Sequence, residues 1–140
     1  MSDTNSGDAA APEAWRDRLR RLRLGLLHLH KILLDTERAA YEQAHGRVSS
    51  GELLQRVINH EQFAWLHAIS ELIVRIDETL DADEPTTAVD AEALLTQART
   101  LLKPSETGND FERKYFVALQ HDPDVVLAHR EVTLILSAKA

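Results

Sequence analysis

Apolar residues recur through the first half of this chain in alternating steps. Trp15, Leu19, Leu22, Leu26, Leu29 and Leu33 follow one another at intervals of four, three, four, three and four. That rhythm keeps one stripe of an α-helix facing a partner. Pro12 suits the first turn of such a helix, and Glu13 is favourable beside the positive end of its dipole. No proline interrupts the segment before His45, and Gly46 is placed to end it in a left-handed cap. About 33 residues at ~1.5 Å each make a helix of roughly 50 Å. The seam weakens after Leu33, where Thr36 and Glu37 follow, so the pattern predicts a bundle helix rather than a long coiled coil.

A second helix is predicted from Ser49, which stands at capping-box spacing from Glu52, to about Leu80. Val57, Ala64, Trp65, Ala68, Leu72 and Ile76 give it one apolar face, which Leu54, Ile58, Ile69 and Ile73 widen. So wide a face predicts the most buried helix of the bundle. Residues 81–87 read as an acidic loop. A third helix is predicted over Ala88 to Lys103, ended by Pro104, and a fourth from a cap at Asn109 or Asp110. Asp122-Pro123 reads as an N-cap and first helical position. The segment after it is apolar on most sides and rich in β-branched residues, so a strand over Glu131 to Ser137 stands beside the helix reading. The expected fold is all-α: an antiparallel up-and-down bundle of four to five helices with a long first helix. Residues 1–11 are expected to form a disordered tail, and residues 12–140 a single domain.

Three stretches carry a resemblance. They are Val48 to Gln55 with Phe63 to Leu66, then Leu72 to Glu78, and then Asp122 to His129. Together they cover about half the chain. The chain resembles a group of small bacterial all-helical cytoplasmic proteins of unknown function. The resemblance implies a bacterial, cytoplasmic, helical protein and supplies no reaction, cofactor or partner.

Charge is uneven. The net charge is −7, but Pro12 to Lys31 carries six basic and two acidic residues. That segment is +4 and the remainder −11. A negative body argues against a nucleic-acid partner. Arg16, Arg20 and Arg23 share a helix face, and Arg18 and Arg21 flank the seam. Pairing within the protein or across a subunit interface, for example with Asp81, Asp83 and Glu84, ranks ahead of nucleic acid for this cluster. Cysteine is absent, which excludes disulfides and thiolate chemistry and suits a reducing cytosol. No apolar run is long enough for a transmembrane segment, and the N-terminus lacks a signal-peptide pattern, so a cytoplasmic location is expected.

Seven histidines raise the question of metal. The di-iron arrangement of bundles, Glu-x-x-His on each of two helices, is not met. Glu37 on the first helix, with Glu61, His67 and Glu71 on the second, is the best raw material for a metal site. Glu61 lies beside the apolar stripe between Val57 and Trp65 and needs a partner there. Arg38, Arg56 or a histidine can serve. No Gly-x-Ser-x-Gly, His-Glu-x-x-His or phosphate-cradling loop occurs. The leading expectation is a non-enzymatic interaction or regulatory module with no cofactor and an unknown protein partner. It acts as a homodimer through the first helix and the apolar C-terminal segment. Trp15, Arg16, Arg20, Arg23 and Leu26 are the expected interaction surface. The alternative is a ligand- or metal-binding bundle using the carboxylates and histidines.

Overall fold

The computed structural model describes residues 2–82 and 87–137; for 2–13 and 59 the description covers the backbone alone. Seven helices and no strand occur among the described residues. They are α1 (Ser2–His45), α2 (Ser50–Asn59), α3 (Glu61–Ala64), α4 (His67–Asp81), α5 (Ala88–Leu101), α6 (Asp110–His121) and α7 (Pro123–Ser137). The backbone of α1 begins ahead of Pro12, through an alanine-rich run that favours helix. The side chains of the expected tail, and most of the acidic loop at 83–86, lie outside the described residues. Gly46 ends α1 with φ +88°, the left-handed cap foreseen for it. Residues 131–137 are helical, which decides between the two readings of that segment.

The seam is the core. Leu19, Leu22, Leu26 and Leu29 are fully buried, and Trp15 and Leu33 nearly so. α1 packs against α7, α4 and α5, and α4 and α7 each pack against α5. Contacts step in opposite directions along α1 and the segment from α3 to the end of α4. Arg16 meets Leu80, Arg23 meets Asp77, His30 meets Ser70 and Glu37 meets Gln62. The same holds along α7, from Arg18 with Leu136 to Thr36 with Asp122. Gly25 marks the closest approach of α1 and α7. A Cβ there would stand 3.0 Å from Val132 Cγ2.

The single second helix expected over 50–80 is corrected to three. His60 leaves the helical region (φ −90°, ψ 134°), and its Nδ1 accepts the Gln62 N–H at 3.0 Å. A short polar side chain that bonds its own backbone competes with the helix in this way. Behind the break, His67 Nε2 meets the carbonyl of Val57 at 2.8 Å and satisfies one of α2's terminal acceptors. The break also re-aims the chain, so that Phe63, Trp65 and Leu66 all enter the core. The expectation of a most-buried helix is not met: α4 buries Ile69, Leu72, Ile73 and Ile76, and α5 and α7 bury four residues each as well. No described side chain of α2 is buried, because its main contacts are with the short α3.

Among the described residues Arg18 is the only buried charged side chain, at 6% exposure. Its Nε and Nη2 donate to the carbonyls of Ile135 and Leu136 at 3.2 and 3.0 Å. Arg18→Leu removes both bonds and takes the side-chain donor from the Ile135 carbonyl, while the Leu136 carbonyl keeps Arg99. We expect it to lower unfolding free energy by about 2 kcal/mol in urea titration. Arg20→Leu, which breaks only an exposed pair with Asp17, should change it by about 0.5 kcal/mol or less.

Candidate functional site

The structure gives the basic cluster of α1 an internal role. Arg16 Nη1 donates to the carbonyl of Leu80 at the end of α4. Its guanidinium also lies 4.9 Å above the Trp15 ring. Arg18 caps α7, and Arg23 pairs with Asp77 on α4. A cation at a helix C-terminus also meets the negative end of the dipole. Of the acidic residues expected to answer this cluster, Asp83 and Glu84 lie outside the described residues. The partners found are Asp77 for Arg23, Asp17 for Arg20 and backbone carbonyls for Arg16 and Arg18. The residues expected to form an interaction surface are thus divided. Trp15 and Leu26 are core, Arg16 and Arg23 are half-buried and partnered, and Arg20 alone is exposed. Arg18 carried a legible signal, since it follows Trp15 by three and precedes Leu22 by four, on the seam itself.

The four metal candidates are not gathered. Glu37 Oε2 accepts from Gln62 Nε2 at 3.0 Å. Glu61 is exposed in the first turn of α3, clear of the core. His67 is engaged at Val57, and Glu71 is exposed beside it, across a shallow cleft with Arg75 and Glu78. Glu-x-x-His spacing does occur once, at Glu42 and His45, but the local fold uses both. Glu42 Oε2 accepts the Val48 N–H at 2.9 Å, and the His45 ring lies 4.5 Å from that of Tyr41. Among the described residues no group of three or more histidine, aspartate or glutamate side chains is placed to hold a metal ion.

Two half-buried histidines make close polar contacts. Tyr115 Oη lies 2.6 Å from His129 Nδ1, the phenol donating to the neutral ring. Burial pushes the Tyr115 phenol up and the His129 ring down. His30 Nε2 lies 3.0 Å from Ser70 Oγ, and its pKa is lowered by burial first and by neighbouring His67 second.

Two outward features remain. The first is a strip on the α1–α7 pair. Leu24 and Leu27 of α1 are 62% and 39% exposed, and Leu127 and Leu134 of α7 are 60% and 59% exposed. His28, one turn beyond Leu24, meets Glu131 of α7 at 3.3 Å, and Glu131 falls between Leu127 and Leu134 at helical spacing. Leu24, Leu127 and Leu134 therefore lie on one side of the pair, while Leu27 stands one turn beyond Arg23, which pairs with Asp77 of α4. The second is a cleft of about 450 Å³ between α1, α3 and α6. Trp65, Val117 and Ala118 supply its apolar wall, and Glu37, Gln62, Asp110, Arg113, Lys114 and His121 its polar rim. The buried indole Nε1 of Trp65 has no hydrogen-bond partner among the described residues. Such an orphaned donor costs on the order of 1–3 kcal/mol. Sequence reading passed over both features: the leucines fall off the seam, and the cleft exists only once residues 60–66 break the helix.

No protein-family model matches the chain, and no curated protein and no solved structure matches it.

The two histidines set a pH dependence. Below the ordinary histidine value of about 6.5 the unfolded chain takes up protons that folded His30 and His129 refuse. Stability is therefore full above that value and falls as pH drops below it, by up to about 1.4 kcal/mol per pH unit for each ring. Thermal melts across this range should show Tm falling on the acid side, less steeply in His129→Gln. A Tm that rises on acidification from pH 7 to pH 5.5 would contradict the assignment.

Proposed function

We propose that this chain is a non-enzymatic interaction module that pairs with a second copy of itself through the outer face of α1 and α7. The observation that carries the reading is the strip of Leu24, Leu127 and Leu134. Single exposed leucines are ordinary on a protein surface. Three on one side of one helix pair make an apolar face of the kind that marks an interface. A second copy suits this face because its flanking charges are of both signs. His28 meets Glu131 and Lys31 meets Asp35 within the chain, so the edge of the face carries both signs, which a twofold axis can set against each other. The reading takes the fold as an antiparallel bundle, supported by the opposed stepping of contacts along α1 with α4 and α7. It also takes the bacterial, cytoplasmic setting that the sequence resemblance implies. The seam itself has no part in the pairing, since α4, α5 and α7 already cover it.

Sedimentation velocity of the full chain at micromolar concentration tests this. A dimer is expected. Leu24→Glu combined with Leu134→Glu should give a monomer with unchanged far-ultraviolet circular dichroism. A monomeric parent protein, or a double variant that still dimerises, would sink the proposal.

A further inference from the structure

The leucine face of α1 and α7 holds one group whose charge changes near neutrality. His28 Nδ1 lies 3.3 Å from Glu131 Oε2, and both side chains are about half exposed. Leu24 stands one turn before His28 on α1, and Leu127 and Leu134 stand one turn to either side of Glu131 on α7. A second copy seated on these leucines takes the pair out of water with them. The other charges of α1 and α7 around it keep their sign over the histidine range. Lys31 is paired with Asp35 and Arg20 with Asp17, and Arg21, Asp124 and Arg130 are exposed. On the other helices packed against α1, Asp77 of α4 is taken by Arg23 and Glu92 of α5 by Arg99. His30, two residues on, turns to Ser70 of α4, and His129 turns to Tyr115 of α6.

Taking a carboxylate out of water is costly unless a positive charge goes with it. A neutral imidazole can donate one hydrogen bond to Glu131, but it leaves the negative charge in place. A twofold axis then brings two such carboxylates into one interface, and like charges oppose the pairing. A protonated imidazole cancels the charge on each side. Histidine makes this change between pH 5 and 8. We propose that protonation of His28 strengthens the pairing of two copies of this chain, so that the dimer tightens as pH falls. The inference rests on the pairing through α1 and α7 proposed above. Linkage gives the sign: an assembly that holds protons more tightly than its separate halves gains stability as pH falls.

Sedimentation equilibrium of the full chain at pH 8.0 and at pH 6.0, at one ionic strength, reads the dimer Kd at each. A surface ion pair changes an equilibrium roughly threefold, so two pairs should make the dimer roughly tenfold tighter at pH 6.0. His28→Gln keeps a hydrogen-bonding side chain that takes up no proton, and its Kd should be the same at both values. Glu131→Gln removes the negative charge. It should dimerise more tightly than the parent at pH 8.0 and more weakly as pH falls, because His28 then charges without a partner. Far-ultraviolet circular dichroism at both values checks that each protomer stays folded, since His30 and His129 act on folding and not on this face. The inference falls, with the pairing intact, if the parent Kd is equal at both values. It falls in the same way if the tightening persists in His28→Gln, or if Glu131→Gln weakens the dimer at pH 8.0. A parent that is monomeric at both values overturns the pairing itself, and the inference with it.

Discussion

The last carbonyls of a helix have no partner within it, and a helix that ends against a neighbour must draw donors from that neighbour. In this chain α1 meets that demand for two of the helices that cover it. Arg18 reaches the final carbonyls of α7, where Arg99 joins it on Leu136, and Arg16 reaches the end of α4. At the opposite end of α7, Thr36 of α1 donates to Asp122, and Asp122 also accepts the Asp124 N–H in the first turn. α7 is therefore held to α1 by polar contacts at both ends. A leucine stripe alone does not fix the axial position of a helix, because sliding exchanges one apolar contact for another. Polar contacts at the two ends do fix it, since sliding would strand buried acceptors. Gly25 then allows the close approach of the middle, where Val132 sits against it. The remaining packing follows from that placement.

Much of this was legible because it is local. The seam spacing located the core face of α1, and Gly46 located its end. The capping boxes at Thr87 with Asp90 and at Asn109 with Glu112 bear out the predicted starts of α5 and α6. The break at residues 60–66 was not legible. Neither proline nor glycine marks it, and a helical reading satisfies the apolar periodicity of the segment. What favours the break is tertiary: Phe63, Trp65 and Leu66 cannot all face the core from one straight helix, but they do so across a turn. The imidazoles of His60 and His67 then replace the backbone bonds that the turn gives up.

The histidines show the same division between composition and placement. Seven in a short chain suggest metal, but a ring nitrogen is also a compact partner for a helix terminus, a hydroxyl or a phenol. Here His67 meets the Val57 carbonyl, His30 the hydroxyl of Ser70 and His129 the phenol of Tyr115. Each contact places a ring nitrogen where the fold lacks a polar partner. The carboxylates follow the same logic. Glu37 and Glu42 are used by Gln62 and by the Val48 amide, and these contacts fix the turn after α1 and the start of α3.

The cluster of arginines on α1 reads from sequence as an excess of positive charge facing outward. In the folded chain Arg16 and Arg18 terminate other helices and Arg23 pairs with Asp77, while Arg20 and Arg21 stay exposed, so the outward charge is reduced. This shifts the weight of any recognition away from electrostatics on the first half of α1. Beside the remaining charges an apolar group faces outward there, Leu24 next to Leu127 and Leu134. An apolar face derives its specificity from shape and from the charges at its edge, because burial itself is non-directional. The edge of this face carries His28 and Glu131, which already touch within one chain. A partner that brings the same two groups in reversed order meets each with its complement, whereas a partner of single-signed charge meets one of them with repulsion.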